Sequence, residues 1–89
     1  MKTHNLKTWP EYFEALKTGL KDFEVRYNDR QFAIGDTVIC EEYDPEIKEY
    51  TGAVLHFTIK YKCCWNDDVI MGTALKVGYC ILGLQPKQI

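Results

Sequence analysis

Four residues suited to ligand binding occur at fixed spacing early in the sequence: Gly19, Lys21, Glu24 and Arg26. Lysine and arginine bind anions, arginine often through two parallel hydrogen bonds, and a carboxylate can orient such cations. Glu24 and Arg26 are two residues apart, so on a strand they share one face, with side chains about 7 Å apart at the base. Spacing alone also fits a solvated surface ion pair, which contributes at most about 1 kcal/mol.

The residues before this motif predict an amphipathic helix over residues 9–18. Thr8 and Glu11 have the spacing of a capping box, and Pro10 suits the first turn. Gly19 can end the helix as its C-cap. The apolar positions follow the spacing i, i+3, i+4, i+7, so we expect them to face the core rather than a ligand: Trp9, Tyr12, Phe13 and Leu16.

Strands are predicted on both sides of the helix. The first is short, near His4–Lys7, and a period of two marks the second over Asp22–Tyr27. Three more follow over residues 37–43, 53–63 and 79–84.

The 53–63 strand should present one apolar face made of Leu55, Phe57, Ile59 and Tyr61. The segment Trp65–Thr73 is expected to be irregular or a short helical turn.

This order of elements predicts one α+β domain over residues 1–89. Antiparallel strands with a covering helix can close into a small barrel. The last strand is apolar on both faces, which is typical of a central strand.

The net charge of −2 excludes nucleic-acid binding by bulk electrostatics, so any such contact needs a local basic patch. The amino terminus has no apolar core of a signal peptide, and no apolar run approaches the ~20 residues that span a bilayer. We therefore expect a cytoplasmic protein with no membrane partner.

The four cysteines are predicted to be reduced and structural. Cys63 and Cys64 are adjacent, and Cys40 and Cys80 lie within apolar runs, where a free thiol packs as a small hydrophobe. The sequence has no Cys-x-x-Cys and two scattered histidines, so no metal site is predicted. No cofactor is predicted either.

The spacing Gly-x-Lys-x-x-Glu-x-Arg resembles the signature of ASCH domains, small β-barrels of the PUA-like group. Nearly the whole chain resembles the DUF3850 family of bacteria and phages, which is regarded as an ASCH-like RNA-binding domain. The segments that carry this resemblance are His4-x-Leu6-Lys7, Trp9-Pro10-Glu11-Tyr12-Phe13, Asn28-Asp29-Arg30, Phe32-x-x-Gly35-Asp36, Glu42-Tyr43-Asp44-Pro45, Tyr50-Thr51-Gly52 and Gly78-Tyr79.

The resemblance implies a small PUA-like antiparallel β-barrel with a covering N-terminal helix. It also implies a cleft between helix and barrel, lined by Lys21, Glu24 and Arg26. Lys21 and Arg26 would face an anionic or carbonyl-bearing ligand. Glu24 would orient either cation or accept a hydrogen bond from a base amino group.

Four further residues are candidates for the same ligand-binding patch: His4, Lys7, Asp29 and Arg30. Three of them also have a simpler explanation: His4 as a structural or exposed histidine, Asp29 as the cap of its own turn and Arg30 as a solvated side chain. The leading function is a small module that binds RNA or a nucleotide.

Two enzymatic alternatives follow from the same resemblance. Some ASCH relatives are amidohydrolases that deacylate a modified cytidine with a Lys, a Thr and a Glu. Lys21 matches that pattern, but Glu24 stands where the Thr is expected, and residues 51–63 contain no Asp or Glu. Lys21 and Glu24 are the candidate catalytic residues of an amidohydrolase. Other relatives are metal-independent ribonucleases, for which His4, Lys21 and Tyr43 are candidates.

A third alternative is a phage or mobile-element protein that binds a host protein. The acidic stretch Glu41–Glu46 is the surface that suits it. A solvated loop is the default explanation of such a charged segment.

Overall fold

The computed structural model describes residues 1–65, 67 and 74–87 of the chain. The elements within this part are β1 Thr3–Thr8, α1 Pro10–Thr18, β2 Phe23–Tyr27, β3 Thr37–Asp44, β4 Glu49–Cys64 and β5 Tyr79–Pro86. Most of the segment Trp65–Thr73, predicted to be irregular or helical, lies outside the described residues. In the described part, no helix combines the length and the apolar character needed to cross a membrane.

The strands form a five-stranded mixed sheet that curls into a half-barrel, and α1 packs against β3. The strand order is β1-β3-β4-β5-β2, so the two strands that flank the helix in sequence become the two edges. β5 lies inside the sheet, as its apolar residues on both faces predicted. The predicted α+β class with a barrel-like sheet is confirmed.

The sheet is not antiparallel throughout, because β1 runs parallel to β3. Their register begins with Thr3 opposite Thr37, and the Thr37 amide donates to the Lys2 carbonyl at 2.9 Å. Residues 9–36 connect the two strands, which is long enough for the crossover that parallel strands need. The predicted antiparallel arrangement is therefore wrong at this pair, while the other three pairings are antiparallel.

The start of α1 differs from the predicted capping box. Trp9 is the N-cap residue, with φ −70° and ψ 152°, and no side chain makes a cap hydrogen bond. Pro10 occupies the first helical turn, where its fixed φ is favourable and its missing N–H is not needed. Thr8 stays in β1, and its hydroxyl donates to the Leu6 carbonyl at 3.1 Å. The predicted cap by Thr8 and Glu11 is wrong.

A bulge in β4 changes which side chains face the core. Ile59 lies opposite Leu84, but Tyr61 lies opposite Gly83, so the register shifts by one residue between them. An extra residue reverses the alternation of faces. Ile59 is therefore fully buried, whereas Tyr61 is 48% exposed. The prediction that Tyr61 shares the buried face of Phe57 and Ile59 is wrong.

Half of the predicted apolar face of the helix is core. Phe13 and Leu16 are buried, but Trp9 is 48% and Tyr12 is 50% exposed, so the core prediction is wrong for these two residues. The core cluster joins the helix to the sheet and consists of Leu6, Leu16, Phe32, Val38, Cys40, Phe57, Ile59, Cys64, Cys80, Leu82 and Leu84.

Two of the cysteines form a disulfide. Cys64 on β4 lies directly opposite Cys80 on β5, and the two are bonded with their Cα atoms 3.9 Å apart. Cys40 and Cys63 are free and buried. The prediction of reduced thiols is wrong for the bonded pair, because the pairing depends on strand register, which composition and spacing do not reveal.

Candidate functional site

An open cleft of about 810 Å³ lies where the start of α1, the end of β1 and the edge strand β2 meet. Lys21, Glu24 and Arg26 line it together. Cations and aromatic rings make up most of the lining, which comprises Lys7, Thr8, Trp9, Tyr12, Lys21, Phe23, Glu24, Val25, Arg26, Tyr27 and Tyr79.

The end of the helix positions Lys21. Gly19 has a φ of +83°, a left-handed conformation that glycine adopts readily, and it caps the helix there. The chain then folds back, so that the Lys21 amide donates to the Ala15 carbonyl at 3.0 Å. The Lys21 ammonium consequently lies 4.6 Å from the centre of the Tyr12 ring and 5.4 Å from that of Phe23, within cation–π range.

Glu24 lies between two cations. Its side chain is only 5% exposed; Oε1 accepts from Lys21 Nζ at 2.9 Å and Oε2 accepts from Arg26 Nε at 3.0 Å. A buried carboxylate needs paired charge and hydrogen bonds, and both are present here. The three residues therefore do not form a solvated surface pair. Glu24 instead orients both cations, which is one of the two roles that the resemblance implied.

Arg26 also connects the two edges of the curled sheet. Its Nη2 donates to the Lys7 carbonyl at 2.7 Å, which links β2 to β1 although these strands stand at opposite ends of the strand order. A guanidinium has five N–H donors, and the bonds to Glu24 and Lys7 use two of them. The rest of this planar fork suits a phosphate or a carbonyl oxygen.

Strand β2 reverses the usual pattern of burial. Glu24 is 4% exposed, whereas Phe23, Val25 and Tyr27 are 43%, 47% and 57% exposed. Half-buried strands normally turn their apolar residues to the core. Here the charged residues turn toward the junction with β1, and the apolar side chains are left at the surface of the cleft.

Aromatic rings give the cleft flat apolar walls. Trp9 and Tyr12 come from the start of α1, while Tyr27 and Tyr79 pack edge to face at 5.5 Å on neighbouring strands. Gly78 makes room for the Tyr27 ring, because a Cβ there would lie 2.6 Å from Tyr27 Cε1. The Asn28 amide donates to the Gly78 carbonyl at 2.8 Å and holds the two segments together.

Sequence reasoning missed these aromatic residues as site residues. The helical spacing that predicts a core face does not distinguish a core side chain from one at a cleft. One available signal was Pro10, which favours the first turn of a helix and so places Trp9 before the helix begins. The resemblance segment that contains Tyr79 was a second signal.

The uncharged residues behind the cations are closed to solvent. Thr8 is 2% exposed and Cys40 is 0% exposed. Burial raises the pKa of the Cys40 thiol to about 11, against a smaller opposing effect of its hydrogen bond with Thr8. Cys40 is therefore a neutral thiol at neutral pH and no candidate nucleophile.

The structure does not bring His4 to the cleft. Its ring is buried 4.7 Å from that of Phe32, and Nε2 donates to Asp36 Oδ2 at 2.8 Å. The hydrogen bond from His4 lowers the pKa of Asp36, against the opposing effect of burial, and the backbone amides of Lys2 and Ala33 lower it further. His4 has a structural role instead of the predicted ligand-binding role, because its hydrogen bond to Asp36 holds β1 beside the start of β3.

Lys7 lines the cleft, and its ammonium lies 4.2 Å from the centre of the Tyr43 ring. Tyr43 is not part of the lining and packs edge to face on Tyr50 at 5.0 Å. The set of His4, Lys21 and Tyr43, considered for a ribonuclease, is therefore not brought together.

Asp29 and Arg30 lie at a second, smaller cavity of about 140 Å³ beside the cleft. Arg30 Nε is 3.5 Å from Asp29 Oδ1, and Nη1 donates to the Asn5 carbonyl at 2.6 Å. Arg26 and Tyr27 line both cavities. The structure therefore places these two candidates next to the motif residues but not among them.

The hydrogen bonds of Glu24 bear on its candidate role as a catalytic base. Both oxygens of Glu24 are held by cations, which suits a positioning role rather than contact with a substrate. Across residues 1–65, 67 and 74–87, no group of three or more His, Cys, Asp or Glu side chains is arranged to hold a metal ion.

Fold and cleft together define a class of protein: a small α+β domain with a half-barrel sheet and a cleft of cations and aromatic rings at the junction of its two edge strands. A family model described as "Domain of unknown function (DUF3850)" matches residues 3–84. The chain belongs to the DUF3850 family, as its motif segments predicted. The search of curated proteins found no match.

Proposed function

We propose that this domain binds RNA or a nucleotide in the cleft between α1, β1 and β2. The observation that carries the proposal is the mixture of side chains on one surface. Lys7, Lys21 and Arg26 stand beside half-exposed aromatic rings such as Trp9 and Tyr12. Nucleic acids present phosphates, which cations bind, and bases, which stack on aromatic rings.

Local charge and size support the same ligand class. The three cations of the lining outweigh the single carboxylate of Glu24, so the cleft carries +2 in a chain whose net charge is −2. Its volume of about 810 Å³ falls within the range of small-molecule sites. An anion with a flat apolar part, which is what a nucleotide is, suits both properties.

The domain is further proposed to be an ASCH-like module of the PUA-like group that acts in the cytoplasm of a bacterium or of a phage-infected cell. The Gly19-to-Arg26 motif and the half-barrel support the first part. The structure contains the Cys64–Cys80 disulfide, but a reducing cytoplasm would convert it to a dithiol. Alkylation of cells before lysis, followed by mass spectrometry, tests the location through the state of this pair.

Binding of short single-stranded and of structured RNA tests the function. We expect saturable binding, well below the roughly 10⁻⁴ M of non-specific association, and its loss in the Lys21→Ala, Arg26→Ala double variant. The matched control is Lys17→Ala with Lys60→Ala, which removes two exposed cations outside the cleft.

The double variant leaves the buried Glu24 carboxylate without its two ion-pair partners and could lose binding through misfolding. A second variant therefore tests binding without this change. Tyr12 is half exposed, so Tyr12→Ala should leave the fold intact. Loss of one stacking ring should weaken binding roughly tenfold. If no RNA or nucleotide binds more tightly than the non-specific level, or if the control variant weakens binding as much, the proposal is wrong.

A further inference from the structure

The two arginines of the sequence both donate to carbonyls of β1. Arg26 contacts a carboxylate through Nε and a carbonyl of β1 through Nη2. Arg30 Nη1 donates to the Asn5 carbonyl, while its Nε lies 3.5 Å from the exposed Asp29 carboxylate, a weaker contact than that of Arg26 with buried Glu24. Each guanidinium keeps the larger part of its five donors for other partners. Two pre-oriented forks of this kind bind an anion with little loss of side-chain freedom.

The spacing of the two forks is determined by β1. Their acceptors are the carbonyls of Asn5 and Lys7, two residues apart on the strand and therefore about 7 Å apart along it. Between the forks lies the cavity of about 140 Å³, which both arginines line. Because Arg26 also lines the large cleft, this cavity continues the cleft along the open edge of β1.

We propose that the small cavity is a phosphate subsite, in which Arg26 and Arg30 together bind the phosphate next to the nucleotide in the large cleft. The domain then binds short single-stranded RNA more tightly than a mononucleotide. This inference rests on the proposed function and specifies its ligand: an oligonucleotide with a phosphodiester beyond the first nucleotide.

The Asp29 carboxylate competes with a phosphate for Arg30, so its removal should change phosphate affinity in the direction opposite to the loss of Arg30. Its carboxylate is 3.5 Å from Arg30 Nε, and the two side chains are 57% and 43% exposed. An exposed pair of this kind is weak, so a phosphate can compete for the guanidinium. Removal of the Asp29 charge should therefore strengthen phosphate binding.

The alternative to a ligand role is a purely structural one, in which Arg30 holds β1 through its hydrogen bond to the Asn5 carbonyl. Arg30→Gln removes the positive charge, and the glutamine side chain is too short to reach the Asn5 carbonyl, so the stability of this variant to urea is measured beside its affinities. A purely structural role lowers the stability alone, whereas a ligand role lowers the preference for the longer ligand.

The experiment compares ribonucleoside 5′-monophosphates with the matching 5′-phosphorylated dinucleotides by isothermal titration calorimetry. The native domain should bind the dinucleotides roughly tenfold more tightly, the gain from one charge-assisted contact. Arg30→Gln should bring dinucleotide affinity down to that of the mononucleotide, and Asp29→Asn should raise it several-fold. Lys60→Gln and Glu49→Gln make the same charge changes at exposed positions away from both cavities and should leave the ratio unchanged.

Pyrophosphate provides a test that does not depend on nucleotide binding. With two arginines in the chain, a ¹⁵N spectrum of the guanidinium groups should contain two Nε–Hε signals. Addition of pyrophosphate should shift both in the native domain, and the one signal that remains in Arg30→Gln, that of Arg26, should shift less.

The outcomes separate the two proposals. If mononucleotides bind but dinucleotides bind no more tightly, or if Arg30→Gln leaves the ratio unchanged, the subsite is overturned and the proposed function stands. If no nucleotide binds, the proposed function fails, and the pyrophosphate titration decides the subsite. Two shifting signals then support it, and unshifted signals overturn it.

Discussion

Glu24 is the residue on which the geometry of the cleft depends. It holds Lys21 and Arg26 through its two carboxylate oxygens, at 2.9 and 3.0 Å, and is itself almost closed to solvent. Both cations are thereby ordered before any ligand arrives. Ordering in advance reduces the entropy lost on binding. Glu24 therefore acts on the ligand through the two cations that it positions.

Replacement of Glu24 by Gln should weaken nucleotide binding roughly fivefold to tenfold, even though the cleft becomes more positive. A Gln side chain has one acceptor oxygen and cannot hold both cations. Stability should fall by about 1–3 kcal/mol because buried hydrogen bonds to charged groups are lost. Titration calorimetry and urea unfolding measure the two effects.

Glu14→Gln is the control for this change, because it removes the same charge from an exposed position of α1. It should alter neither quantity measurably. Tighter binding in Glu24→Gln would show that charge alone governs the cleft, contrary to the positioning role.

At the scale of elements, the site depends on the placement of β1. This strand supplies the Lys7 carbonyl to Arg26 and the Asn5 carbonyl to Arg30. Its own position beside β3 is secured by the contact of His4 with Asp36, whose carboxylate also accepts from two backbone amides. A buried polar pair that lines neither cavity thus helps to position the acceptors of both arginines.

Asp36→Asn should reduce the free energy of unfolding by about 1–3 kcal/mol at pH 7, since one acceptor oxygen cannot replace a carboxylate with several donors. The pKa of Asp36 is lowered in the folded domain from an ordinary value of 3.8, so the unfolded chain binds the proton more tightly. The stabilisation is therefore present above about pH 3.8 and is lost as the pH falls through the folded pKa.

Urea unfolding of both proteins between pH 3 and 7 measures this difference, which should shrink at the acid end. Asp22→Asn is the control, since Asp22 is exposed. A difference that is equal at all pH values, or absent at pH 7, would contradict the role given to Asp36.

At the scale of the whole molecule, the curl of the sheet creates the cleft. β1 and β2 are the two edge strands and are farthest apart in the strand order, yet Arg26 of β2 donates directly to a carbonyl of β1. The disulfide reinforces the sheet next to this contact. Cys80 on β5 is bonded to Cys64 on β4 and lies opposite Arg26 on β2. These three residues therefore form one row across three neighbouring strands.

Reduction of the disulfide should lower the free energy of unfolding by about 3 kcal/mol, the value that chain entropy gives for a closed loop of this size. The bonded residues are 16 apart in sequence. Denatured protein should show two reactive thiols before reduction and four after it, as the pairing and the free cysteines require.

The Cys64→Ala, Cys80→Ala double variant is the control, because a reductant should not change its stability. Four reactive thiols in protein that was denatured without reductant would show that the pair is not bonded in solution.

Much of the local structure was predictable because short-range chemistry determines it. Helix α1 lies within one residue of its predicted range, since Pro10 and Gly19 delimit it and its apolar residues repeat with the helical period. The alternation in β2 was equally evident. The motif of Lys21, Glu24 and Arg26 was identified from spacing and resemblance, before any contact between the three was known.

Contacts between segments distant in sequence needed the tertiary structure. The parallel pairing of β1 and the bulge before Tyr61 depend on how strands align, which no local period specifies. The bond between Cys64 and Cys80 depends on register as well.

At the site, spacing and resemblance identified two cations that could bind an anion, Lys21 and Arg26, and the carboxylate of Glu24 between them. Tertiary contacts turn the charged face of β2 inward, leave Trp9 and Tyr12 exposed at the cleft and keep His4 away from it. Local periodicity assigns residues to the faces of a helix or strand and does no more. Which face is buried depends on the partner that the curled sheet brings against it.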